Sequence, residues 1–217
     1  MALALFDLDE TLIAGDSASL WLEYMVTEEL APASMIAEEQ AMMSLYHQGK
    51  MDMHQYMAFT LQPLAGKSRQ WLDPLCARFA EQVLRERIYP EGVERIEWHR
   101  KRGDELVLIS ASGEHLVTPM AQMLGMDHCV AILLDEEAGM LTGQTRGTLS
   151  FREGKVARIN QLFAGVDTPW LGSFGYSDSH NDLPLLRAVD HPHAVNPAPA
   201  LRQLADELGW PTLAWQR

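Results

Sequence analysis

Basic residues are scarce in this chain: 17 Lys and Arg stand against 30 Asp and Glu among 217 residues, a formal net charge of −13. Such a field repels phosphate backbones and anionic bilayers, so neither nucleic acid nor membrane is an expected partner. Cysteine is almost absent. Cys76 and Cys129 lie far apart and form no CxxC, which excludes a disulfide framework and a zinc knuckle and fits a reducing, cytoplasmic setting. Long apolar runs are missing too. Ala2 to Phe6 is apolar but meets Asp7 and Asp9 at once, with no basic segment before it, and so reads as neither signal peptide nor anchor. There is no internal repeat, low-complexity tract or block of like charge.

What is present is the composition of a soluble globular chain, 47% hydrophobic and 22% charged. A chain of this length buries about 70% of its extended surface, enough for a core without staples. Short apolar runs bounded by Gly, Asp or Pro read as buried parallel strands: 2–8, 105–110, 129–134, 170–175 and, more weakly, 193–195. Helical periodicity fills 90–102, 114–124, 155–163 and 198–208, and a Gly- and Thr-rich stretch at 139–151 reads as a β-excursion. Strand-helix alternation implies right-handed crossovers and an α/β fold with a parallel sheet. From Ser17 to Arg87 the alternation stops. Four helices are expected there, starting near Ser17, Pro32, Asp52 and Ser68, as a helical insert over the strand ends with hinges at Gly15 and Tyr89-Pro90.

The chemistry-bearing stretches sit where strands end. In Asp7-Leu8-Asp9-Glu10-Thr11, alternation at a strand terminus points two carboxylates differently, one to attack and one to move a proton. An isolated Asp-x-Asp is more often a solvated loop. Ser110-Ala111-Ser112-Gly113 opens a helix, a hydroxyl beside free N–H groups that suits an anion or a plain N-cap. Lys155 is a fixed cation or a surface lysine. Asp178 and Asp182, four residues apart at another strand end, supply hard oxygen ligands suited to Mg²⁺. None of the eight histidines has metal-site spacing, and only His180, inside the last motif, invites a test.

In this order, Asp7-x-Asp9-x-Thr11, Ser110, Lys155 and Gly175-x-x-Asp178-x-x-x-Asp182 resemble the haloacid dehalogenase superfamily, and the helical insert resembles the C1 cap of its phosphoserine-phosphatase-like branch, subfamily IB. The resemblance spans nearly the whole chain. It implies a Rossmann-like core of residues 1–15 and 88–217 with the site at strand carboxyl ends, and an α-helical cap of residues 16–87. It further implies a Mg²⁺-dependent phosphomonoesterase acting on a small phosphorylated metabolite. Asp7 would be the nucleophile that forms an aspartyl-phosphate, and Asp9 the general acid and base. Ser110, Ala111, Thr11 and Lys155 would surround the phosphoryl group, and Asp7, Asp9 and Asp178 would hold Mg²⁺. Asp182 and Asn181 would orient the groups around it. A carboxylate at Asp9 favours phosphate esters over the halide and phosphonate substrates of other members.

Phosphoserine phosphatases carry a Glu shortly after the first motif and a cap Arg that grips the serine carboxylate. The Glu position falls on Asp16, and the Arg position falls in 53–61, which has no Lys or Arg, with Thr60 the best match. An acidic Asp16 beside Trp21, Tyr24, Met25, Tyr56 and Phe59 suits a leaving group with an amine and no carboxylate, as in histidinol phosphate. Phosphoserine hydrolysis and phosphoryl transfer to another acceptor are the alternatives. The plainer reading makes Asp16 an N-cap and the aromatic and Met stripe a bundle core.

Overall fold

The computed structural model describes residues 2–166 and 169–217, without the side chain of His47. Met1, where the expected core segment 1–15 begins, and residues 167 and 168, which fall inside the expected segment 88–217, lie outside the described residues. Strand β1 (Leu3–Phe6) is buried throughout, as its uninterrupted apolar sequence dictates. Four α-helices fill residues 17–79: α1 (Ser17–Thr27), α2 (Ser34–His47), α3 (Met53–Leu61) and α4 (Arg69–Phe79). The remainder alternates: α5 (Pro90–Arg102), β2 (Glu105–Gly113), α6 (Glu114–Met123), β3 (His128–Glu137), β4 (Met140–Arg146), α7 (Glu153–Leu162), β5 (Phe174–Ser177), α8 (Leu183–Ala188), β6 (His191–Val195), α9 (Pro199–Leu208) and β7 (Thr212–Leu213). The strands form one sheet in the order β4-β3-β2-β1-β5-β6-β7, parallel except for β4. The fold is therefore mixed α/β with a Rossmann-like sheet, as expected.

Polar starts behave as the sequence suggests. Asp16 caps α1 by accepting from Ser19 N, Asp52 caps α3 and Ser68 caps α4. The second helix starts at Ser34, because Pro32 and Ala33 form the turn before it, with Met35 N donating to Pro32 O. The expected strand at 170–175 is displaced to Phe174–Ser177. Gly172 adopts φ +70° and donates its N–H to Asp190, and Ser173 folds back onto Trp170 O, so extended backbone begins only after them. The β-excursion is the hairpin β3–β4. The six-residue α8 and two-residue β7 are additions that the sequence did not announce.

The helical segment is tied down at both ends of its insertion and elsewhere. Ala14 N donates to Arg87 O, Tyr89 N donates to Leu12 O, and Ile13 bridges Ile88, so the two connectors run side by side next to the expected hinges. Gly66 N donates to Leu141 O and Leu141 N to Lys67 O, which joins the α3–α4 connection to β4. Arg69, at the start of α4, pairs with Glu114 and Glu136.

Candidate active site

The site begins with the way β1 ends. Phe6 lies parallel to Tyr176 of β5, ring centroids 4.6 Å apart, and Asp7 N donates to Tyr176 O at 3.0 Å. One residue later the Leu8 carbonyl accepts from the N–H groups of Thr11, Leu12 and Ile13, so the chain turns sharply upward. Asp7 and Asp9 are thus fixed at the carboxyl edge of the sheet. Asp7 is only 6% exposed, and Lys155 Nζ, 2% exposed, donates to its Oδ1 at 2.7 Å. The same ammonium donates to Asp182 Oδ2 at 2.6 Å, which also accepts from Ser177 Oγ at 2.8 Å.

Thr11 links the two outer carboxylates. Its hydroxyl lies 3.2 Å from Asp7 Oδ2 and 3.3 Å from Asp178 Oδ1, and it accepts from Asp178 N at 3.0 Å. Asp9 turns the other way, toward β2 and α1. Its Oδ2 accepts from Ser110 Oγ at 3.1 Å and Ser112 Oγ at 2.8 Å, and its Oδ1 accepts from Ser17 N at 2.6 Å. Ser112 N donates back to Ser110 Oγ, while Ala111 sits between them, half-buried on the apolar core. Asn181 receives Arg152 Nε at 3.1 Å on its Oδ1. The structure therefore brings Asp7, Asp9, Thr11, Ser110, Lys155, Asp178, Asp182 and Asn181 to one sheet edge. His180 stands exposed.

Charge in this group is unbalanced. Asp7, Asp9, Asp178 and Asp182 share one ammonium, Lys155, and no second cation is within hydrogen-bonding distance of them among the described residues. Burial, with Asp182 and Asp9 adding to it against the pull of Lys155, raises the Asp7 carboxyl to about 7. Asp178 is raised well above the usual range, first by burial and then by Asp7 and Asp182. Lys155 stays charged, because the two carboxylates outweigh its own burial. The donor set is hard oxygen and short of positive charge, which fits a divalent cation such as Mg²⁺. Among the described residues no three Asp, Glu, His or Cys side chains are grouped to hold an ion by themselves.

The helical side of the site carries a residue that sequence reading missed. Glu39 of α2 is 4% exposed, yet its Oε1 accepts from Ser19 Oγ at 2.6 Å and from Tyr56 OH at 3.2 Å. Asp16 is raised to about 7, first by burial, then by Asp9, with Glu39 contributing. Three carboxylates, Asp9, Asp16 and Glu39, consequently act on the Tyr56 phenol and help to raise it after burial has done most. The sequence does not single Glu39 out, since Glu38 and Gln40 flank it in the same helix. Asp16 is also the N-cap of α1. Trp21, Met25 and Tyr56 belong to the buried core, as the plainer reading had it, while Tyr24 and Phe59 are packed at its margin. Thr60 is buried and donates to Met57 O.

Similarity to known proteins follows the same elements. A histidinol-phosphatase of Neisseria meningitidis serogroup C is 37% identical over 217 residues, covering 97% of each chain. A protein of unknown function from Bordetella pertussis Tohama I is 35% identical and superposes with a TM-score of 0.89 over 98% of this chain and 97% of that one. A phosphoserine phosphatase solved as a phospho-aspartyl intermediate analogue shares the fold, with a TM-score of 0.70 at 19% identity over 98% and 92% of the two chains. The sequence profile of haloacid dehalogenase-like hydrolases matches residues 4–187, the span from β1 through the Asp178 and Asp182 loop, and the chain belongs to that family.

Proposed function

We propose that the chain is a Mg²⁺-dependent phosphomonoesterase that works through an aspartyl-phosphate on Asp7, with residues 16–87 as a cap over the site. The carrying observation is Lys155 Nζ placed between Asp7 Oδ1 at 2.7 Å and Asp182 Oδ2 at 2.6 Å, while Asp9 is held separately by three donors. Asp7 attacks phosphorus through Oδ2, which meets the Thr11 hydroxyl and not the Lys155 ammonium, and the ester oxygen departs. Asp9 gives that oxygen a proton, then takes one from the water that hydrolyses the acyl-phosphate. Ser110 Oγ, itself held by Ser112 N, and the Ala111 N–H would face the phosphoryl oxygens once Asp9 swings toward the leaving group. Asp7, Asp178 and the Asp9 carbonyl would hold Mg²⁺, which when bound offsets charge on the transferring phosphoryl oxygens. Asp182 keeps Lys155 in place, and Thr11 keeps Asp178 facing Asp7.

For the substrate we favour a phosphate ester whose leaving group bears an amine and no carboxylate, histidinol phosphate being the leading case. Half-buried Asp16 and buried Glu39 both accept from Ser19, and the two carboxylates suit a cation and repel a carboxylate. Arg69 is committed to Glu114 and Glu136, and Thr60 offers no charge, so a carboxylate such as that of phosphoserine finds no partner there. The similarity to a histidinol-phosphatase supports the same reading. Purified protein with Mg²⁺ is expected to hydrolyse histidinol phosphate with a kcat/KM well above that for phosphoserine. A preference for phosphoserine would defeat the substrate assignment, and transfer of the phosphoryl group to added alcohols in place of water would defeat hydrolysis as the reaction.

A further inference from the structure

Arg152 stands out in a part of the site that the mechanism above does not use. It is the residue before α7, three positions from Lys155, with φ +52° and ψ −124°. Gly154 N donates to Phe151 O at 2.9 Å, so residues 151–154 form a tight turn with Arg152 in the first central position of a type II′ geometry. That position belongs to glycine; a non-glycine residue there is held against its own backbone preference. The turn has no slack, since a Cβ on Gly154 would lie 1.9 Å from Leu149 O.

The Arg152 side chain spans two bodies of the protein. Its Nη2 donates to Gly49 O at 2.8 Å, in the connection after α2, and its Nε donates to Asn181 Oδ1 at 3.1 Å, in the loop between Asp178 and Asp182. The guanidinium carbon lies 4.8 Å from the centre of the Phe151 ring, and that ring is 6.2 Å from Tyr46 of α2. A planar fork is needed to make both hydrogen bonds at once, a task lysine cannot copy. Asp7 and Lys155 are almost fully buried, and any lift of the helical segment to admit a phosphate ester would separate Gly49 from Arg152.

We propose that Arg152 is a positioning residue that couples seating of the helical segment to the orientation of Asn181. With the segment seated, Arg152 holds the amide oxygen of Asn181 and turns its NH₂ end toward the bound substrate. With the segment lifted, the guanidinium loses one anchor and Asn181 is released. The inference rests on the proposed phosphatase reading for its kinetic consequence, but the tie itself is readable without turnover.

Asn181 side-chain amide resonances are measured in ¹⁵N-labelled wild type and in Arg152→Gly, a change that suits the backbone of this turn. The expected result is a pair of resonances that in wild type lies well apart from those of solvent-exposed amides and moves to their position in Arg152→Gly, with the thermal midpoint held or raised. In turnover assays with Mg²⁺ and p-nitrophenyl phosphate, Arg152→Gly and Arg152→Lys should each lower kcat about tenfold with little change in KM. Added to Asn181→Ala, Arg152→Gly should lower kcat no further than about twofold, because the two act as one unit. Unchanged Asn181 resonances, wild-type kcat in Arg152→Gly, or losses that multiply in the double variant would overturn the proposal. Absence of turnover in wild type would instead count against the phosphatase reading and leave the resonance result to decide the tie.

Discussion

Lys155 reaches Asp7 across 148 positions of sequence to make a 2.7 Å hydrogen bond between side chains that are both almost fully buried. The end of β1 and the first turn of α7 meet there, and the ammonium has a second carboxylate, Asp182, on its other side. An arrangement so costly in desolvation depends on that shared ammonium, since removing it leaves both carboxylates buried and unanswered.

Removing that ammonium is the sharpest structural perturbation available. Lys155→Met leaves Asp7 and Asp182 buried without a cation, and the expected destabilisation is about 3–5 kcal/mol near neutral pH. The loss should shrink at acid pH, where the carboxyls protonate. Urea unfolding of wild type and variant at pH 5 and pH 8 measures both values.

The dependence of stability on pH should be reversed by Mg²⁺. Asp7 and Asp16 move from an ordinary value of 3.8 to about 7, and Asp178 is raised as well. Between these values the folded chain keeps protons that the unfolded chain has released, so metal-free stability from these groups is present below about pH 4 and falls as pH rises toward 7. Lys155 titrates above this window and does not alter the sign. A cation bound to the ionised carboxylates stabilises most where the proton is weakest. Thermal melts should show a larger Mg²⁺-induced rise at pH 8 than at pH 5, and Asp178→Asn should reduce it.

Leaving-group selection is expected to lie in the Asp16 and Glu39 pair. Asp16→Asn keeps the N-cap oxygen and Glu39→Gln keeps an acceptor for Ser19 and Tyr56, so both should fold. Each is expected to lower kcat/KM for histidinol phosphate about 10–100-fold while p-nitrophenyl phosphate stays within about twofold. Equal losses on both substrates would assign the pair to structure alone.

Much of this could be read from the sequence, for identifiable reasons. A buried strand that runs into Asp7-x-Asp9 is visible because apolar continuity and acidic punctuation are local signals. Asp178 and Asp182 are visible on the same terms. Glu39 was not, because its meaning depends on α1 and α3 bringing Ser19 and Tyr56 to it. Arg152 was not, because nothing in the sequence shows an arginine in a glycine conformation. The strand at 170–175 was misplaced since Trp170, Leu171 and Phe174 look like one apolar run until Gly172 turns the chain. The pairing of the α3–α4 connection with β4 joins residues far apart in sequence, and no periodicity announces it.

Covalent phosphorylation of Asp7 is the central claim, and trapping tests it most directly. Asp9→Asn, which lacks the proton-transfer group for hydrolysis, is mixed with Mg²⁺ and p-nitrophenyl phosphate, quenched in acid and digested for mass spectrometry. The account predicts a phosphoryl group on Asp7 in the peptide from β1, steady-state turnover lowered about 10²–10⁴-fold, and neither adduct nor turnover in Asp7→Asn. Turnover by Asp7→Asn at the wild-type rate, or an adduct on any other residue, would contradict it.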